Sequence, residues 1–230
     1  MTTEESLAGS GTWRELAVSR SLDTARARAE SRVQRFLDAA LDLMNSSPTG
    51  KDFTVQEVVE RSGQSLRSFY QYFGGKQELL LALFEESVRS TAELLQARIA
   101  DEDDPLERLH RFVVEYYRVC RPVRKGKGSK TRPTRAIAEF AQQLLTTQPA
   151  EAARAFAPLV SLFEEVLDDA AKAGHVRAEV RRRRVAGVVL EAIMFNAFST
   201  TIGGVPAEAD VDDPAEELWD LMLHGIASPA

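Results

Sequence analysis

The 230-residue chain contains one cysteine, Cys120, and only three histidines. A single thiol cannot close an internal disulfide or complete a thiolate metal cluster, which excludes a disulfide-stapled secreted scaffold and fits a reducing, cytoplasmic setting. His110, His175 and His224 lie far apart along the chain, and no H-E-x-x-H, G-x-S-x-G or phosphate-loop pattern occurs. The sequence therefore offers no zinc helix, nucleophile elbow or nucleotide cradle, and no metal, cofactor or catalysis is expected. Long apolar runs are missing too. The most hydrophobic stretch, Val185 to Val205, is interrupted by Glu191, Asn196 and Ser199, short of the roughly 18 uninterrupted apolar residues of a membrane span. Glu4 and Glu5 stand where an export signal carries positive charge, and no apolar segment follows them. Neither export nor a membrane partner is expected.

With 44% hydrophobic and 28% charged residues, the chain can bury a core of one or two domains. Its net charge of -6 hides an asymmetry. Residues 26–76 carry eight basic against six acidic side chains, a net of +2, while the acidic excess lies on either side. A slightly basic segment on an acidic body suits a protein that presents one end to nucleic acid.

The periodicity is helical throughout. Residues 1–25, with Gly9 and Gly11, read as a flexible arm. Val33, Phe36, Leu37, Ala40, Leu41 and Met44 make one helical stripe, which ends at the turn cluster Ser47-Pro48-Thr49-Gly50. Thr54 and Glu57 are spaced as a capping box opening a second helix. Gly63 can take the left-handed conformation of a sharp turn, and Ser65 can cap a third helix. There Leu66, Phe69 and Phe73 form the expected inward stripe. A long helix then runs from Lys76 to about Ala100. Asp104-Pro105 opens the next, whose inner face is traced by Leu106, Leu109, Val113, Tyr116 and Cys120. Residues 121–135 hold seven basic side chains with two Pro and two Gly; a linker, an anion-binding flap and an extra DNA contact are all open readings of this loop. Further helices are expected near 134–147, 149–173 (kinked at Pro158) and 179–201, with a last one from Pro214. The fold class is all-α.

Three short helices with a glycine turn between the second and third are the parts of a helix-turn-helix, in which the third enters a major groove. The side chains that the apolar stripe leaves free suit that task. Arg67 can donate twice to a guanine edge, Gln71 can pair with adenine, and Ser68 can meet base or phosphate. Tyr70, Tyr72 and Lys76 offer donors to phosphate, as do the amides opening helices at Thr54, Ser65 and Lys76. Gln56, Arg26, Arg28 and Arg32 are secondary candidates.

The run T-V-Q-E-V-V-E-R-S-G-Q-S-L-R-S-F-Y-Q-Y-F-G-G-K-Q-E-L-L, residues 54–80, resembles the signature of TetR-family transcriptional regulators. Y-x-Y-F-x-x-K-x-x-L is its most specific part. In that family the positions of Tyr70, Tyr72 and Lys76 usually touch the phosphate backbone. Gln64 and Ser62 depart from the small residues common beside the turn glycine. The likeness covers about residues 32–84. It implies a helix-turn-helix domain over residues 26–76 and a helical ligand-binding and dimerisation domain over 77–230. It further implies a repressor that acts as a homodimer on palindromic double-stranded operator DNA and is released by a small effector.

A head of this size reads few base pairs, so a two-fold dimer is also expected on physical grounds. Val185, Val188, Val189, Ala192, Ile193 and Phe195, with Leu218, Trp219 and Met222, are too apolar for water and are the candidate interface. Leu83, Phe84, Phe112, Tyr116, Tyr117, Phe140, Phe156 and Phe163 are candidates to enclose a largely apolar effector cavity, with His110, Tyr116, Tyr117, Glu139 and Gln143 as its polar contacts. The rival classes are a helical interaction protein without DNA binding and, less favoured, an enzyme.

Overall fold

A computed structural model of the chain describes residues 12–46, 53–121, 135–177, 179–202 and 213–226. Within them lie nine helices: α1 (Trp13–Ser46), α2 (Val55–Ser62), α3 (Leu66–Tyr72), α4 (Lys76–Ile99), α5 (Pro105–Cys120), α6 (Arg135–Thr147), α7 (Pro149–Lys172), α8 (Arg182–Ile202) and α9 (Pro214–Ile226). The all-α expectation holds. Among the described residues no helix is long and apolar enough to cross a membrane.

Helix α1 begins earlier than expected. Residues 13–25, read as part of an arm, are helical. Two causes are visible. The segment from Thr12 to Ser46 contains neither glycine nor proline, and Thr12 and Glu15 exchange backbone and side-chain hydrogen bonds at 2.7 and 3.4 Å, a capping box. No packing holds this extension, since Leu22 is 64% exposed. Beyond it Phe36, Leu37, Ala40 and Met44 are buried as their spacing requires.

Helices α1, α2 and α3 enclose a small aromatic core. Phe36 meets Phe69 and Phe73 edge-on, with centroids 5.4 and 6.1 Å apart, and such pairs add about 0.5–1.5 kcal/mol beyond area burial. Leu66 departs from the expected inward stripe: it is 43% exposed, because the two phenyl rings already fill the space against Phe36. Phe73 lies just past α3 in an extended conformation and is still buried.

The body is organised about α5, which packs on α4, α7, α8 and α9. Asp104 caps it by accepting from the amides of Leu106 and Glu107, each at 2.9 Å, with Pro105 in the first turn. The Glu107 amide, above all, holds the Asp104 carboxyl below its ordinary range. Its expected inner face is only half of what is buried, since Phe112, Val114, Tyr117 and Val119 are covered as well. Helix α4 touches both α1 and the body helices α5, α6 and α7. Phe84 on α4 meets Phe140 of α6 and Phe156 of α7 at 6.2 and 5.2 Å. Helix α7 continues through Pro158. The basic loop lies almost wholly outside the described residues.

Candidate functional site

The turn between α2 and α3 is built by local chemistry. At its start Thr54 accepts from the Glu57 amide at 3.2 Å while Glu57 accepts from the Thr54 amide at 2.7 Å. Gly63 ends α2 with φ 64° and ψ 28°, and its amide reaches back to Val59 and Glu60; a side chain there would strain the backbone. Ser65 then caps α3 by accepting from the Ser68 amide at 3.1 Å. These contacts set α3 across α2 with Phe69 buried.

Opposite Phe69, α3 presents Arg67 and Gln71, both exposed, and beside it Tyr70, which is 56% exposed with its ring edge-on to Phe69 at 5.4 Å. Its neighbour Ser68 is half-buried and its hydroxyl donates to Gln64 at 3.4 Å. Tyr72 is also half-buried and packs against the core, so only part of it faces outward. Lys76 places its ammonium over the Phe53 ring, 4.6 Å from the centroid. The Thr54 hydroxyl is committed to Glu57, and the Gln56 amide to Glu60 at 3.0 Å. These two side chains therefore support the head locally, and the Thr54 and Glu57 amides are likewise taken up by the capping box.

Gln64, the residue after the turn glycine, donates from Nε2 to the Arg32 carbonyl oxygen at 2.9 Å. This bond brings α1 beside the entry to α3. Arg28, Arg32 and Arg35 line a shallow groove there with Thr24 and Ser31. Among the described residues no carboxylate pairs with these three arginines, whereas Arg26 is held by Glu30 at 2.8 Å.

Of the eleven residues expected around one cavity, most are packed in the core or lie exposed. Phe112 and Phe163 stack at 4.8 Å with no exposure, and Tyr116 and Tyr117 are also buried. Burial pushes the Tyr116 hydroxyl well above its ordinary range and the hydrogen-bonded Cys120 thiol up to about 12. Phe140 packs on Phe84, and Glu139 and Gln143 are exposed. His110 joins α5 to α9, with Nε2 2.6 Å from a Glu216 carboxylate oxygen and its ring 5.0 Å from Trp219. These side chains spend their surface on one another because α5 is enclosed on several sides. Space opens beside two of them: an open depression of about 530 Å³ along α5 is lined by His110 with Arg98, Arg111, Arg118 and Glu216, and a cleft of about 360 Å³ between α7 and α8 is lined by Phe156 with Glu164, Arg183, Gly187 and Met194 among others. A glycine in the middle of the apolar α8 pattern was the sequence signal for it.

Of the candidate interface residues, Val188 is 60% exposed, Ala192 and Phe195 are exposed, and Val185, Val189, Leu218 and Met222 are partly covered. Ile193 and Trp219 are instead buried within the subunit. Leu221 on α9, not singled out from the sequence, is 73% exposed. Its place about one turn beyond Leu218 could have identified it.

Residues 36–83 match the family model described as bacterial regulatory proteins, tetR family. No curated protein sequence matches the chain. Similar solved structures include the fatty acid degradation regulator FadR of Bacillus halodurans, 16% identical with a TM-score of 0.63, the match covering 84% of this chain and 94% of that one. FadR of Bacillus subtilis, solved with stearoyl-CoA, is 15% identical at a TM-score of 0.61, covering 84% and 98%. A TetR family transcription regulator of Marinobacter aquaeolei VT8 is 18% identical at 0.59, covering 89% and 100%. At these identities the likeness establishes a shared fold.

Proposed function

We propose that this chain, whose N-terminal domain belongs to the tetR family of bacterial regulatory proteins, is a cytoplasmic, ligand-responsive repressor that binds a palindromic operator as a homodimer. The observation that carries the reading is α3, which buries Phe69 and turns Arg67, Tyr70 and Gln71 outward. An arginine and a glutamine on one exposed face match the donor and acceptor pattern of guanine and adenine edges in the major groove. Ser65, Ser68, Tyr72 and Lys76 at the margins suit phosphate, and Arg28, Arg32 and Arg35, which pair with no carboxylate among the described residues, extend that basic surface along α1.

Dimerisation through α8 and α9 is supported by the apolar side chains these helices leave uncovered, above all Val188, Phe195 and Leu221. Both helices flank α5, so a two-fold axis there joins two α8–α9 pairs into a four-helix contact. Helix α4 links the head to the body, and an effector that displaces it changes the spacing of the two recognition helices and lowers operator affinity.

Selection of bound duplexes from random oligonucleotides tests the reading. The expected result is an enriched inverted repeat whose half-sites are related by the dimer axis, with binding that weakens steeply as salt rises. A pool that stays unenriched after repeated rounds would remove DNA recognition from the account.

A further inference from the structure

We infer that the cleft between α7 and α8 is the effector site and that it takes an apolar molecule carrying a protonated amine. The inference rests on the ligand-responsive reading above and names the place and the ligand class. Its volume of about 360 Å³ falls in the range of small-molecule sites, about 300–1,000 Å³. Phe156, Leu190 and Met194 make the wall apolar, and its charged lining is two carboxylates, Glu164 and Glu191, and one guanidinium, Arg183.

Three observations point to a ligand. One oxygen of Glu164, Oε1, is shut off from solvent and has no hydrogen-bond partner among the described residues. With one oxygen so placed, the Glu164 carboxylate has already lost part of its hydration, so a cation in the cleft meets less competition from water there than at an open carboxylate. Arg183 and Glu191, by contrast, are both exposed, so a charged ligand gains less at either of them. The second observation is Gly187, which lines the cleft from within α8. Glycine weakens a helix interior, and here a Cβ would meet nothing within 4 Å. The helix is thinned where the cleft needs room, without any neighbour requiring it. The third is the path out of the cleft: Phe156 lies 5.2 Å from Phe84 on α4, the helix whose Lys76 end adjoins the DNA-reading head. A ligand that moves Phe156 therefore acts on the element joining body to head.

Calorimetric titration of the full-length, DNA-free protein at pH 7 with 4-phenylbutylamine, 4-phenylbutan-1-ol and 4-phenylbutanoate separates charge from shape. The amine is expected to bind at least tenfold tighter than the alcohol, and the carboxylate weakest. Glu164→Gln is expected to bring the amine down to the alcohol while leaving the alcohol unchanged. Gly187→Leu, which fills the cleft from α8, and Ala157→Leu, which fills it from α7, are each expected to abolish binding of all three, with helical circular dichroism confirming the fold. Carboxylate binding as tight as the amine, amine binding that survives both cleft-filling variants, or no heat from any probe at millimolar concentration overturns the assignment. Operator release is read separately. A protein that binds the amine and no DNA removes the proposed regulatory role and supports the cleft; one whose DNA release by the amine persists in both filled variants overturns the cleft and keeps the regulator.

Discussion

Gln64 donates to the backbone carbonyl of Arg32 across 2.9 Å, tying the turn of the helix-turn-helix to a helix 32 residues earlier in the chain. The bond fixes the side of α1 that lies beside the entry to α3. Gln64→Ala is expected to lower stability by about 0.5–1.5 kcal/mol, the net worth of one such hydrogen bond. Urea denaturation checks it, and an unchanged midpoint shows the bond to be idle.

Arg67 and Gln71 are exposed, so removing them leaves the core intact. Arg67→Ala and Gln71→Ala are each expected to weaken binding to the selected operator by about 1–3 kcal/mol with thermal stability unchanged. Fluorescence anisotropy on labelled duplex measures the loss. Equal losses on scrambled DNA would reassign the two residues to phosphate.

The α1 arginines predict a different signature. Neutralising Arg28, Arg32 and Arg35 together is expected to weaken all duplexes alike and to flatten the dependence of log affinity on log salt by about 0.9 for each phosphate no longer neutralised. A slope identical to that of the parent places these arginines off the DNA.

Leu221 and Val188 stand in solvent within the subunit. Leu221→Glu combined with Val188→Glu is expected to yield a folded monomer by light scattering and to abolish tight operator binding, because one head alone reads too few base pairs. A dimer that persists moves the interface elsewhere.

Burial holds the Cys120 thiol up to about 12, against about 9 in an exposed thiol. The unfolded chain therefore sheds this proton first as pH rises. The sign follows: the thiol's contribution to stability is complete below pH 9 and is lost between 9 and 12. Native protein at about pH 8 is expected to be inert to a thiol-reactive dye that labels it at once in denaturant. Rapid labelling of the native state contradicts the burial.

The head is largely legible in the sequence because its determinants are local. The Thr54–Glu57 box, the left-handed Gly63, the Ser65 cap and the Phe69–Phe73 spacing each act within a few residues, and each appears in the structure. The same logic operates at Thr12 and Glu15, but there the preceding glycines and weak apolar periodicity point to an arm. Leu66 departs for the opposite reason: periodicity assigns a side, and only the volume already filled by Phe69 and Phe73 decides whether that side is inside.

By itself the sequence determined the helical class, the helix starts and turns, and the polar group carried on α3, since propensity, capping and spacing operate at short range. Tertiary structure alone decided that Gln64 reaches Arg32, that Phe112 and Phe163 close on each other, that Ile193 and Trp219 turn inward while Leu221 turns out, and that open space lies beside Gly187. An amphipathic pattern states that a face must be covered, and which neighbour covers it depends on how all the helices share one limited interior.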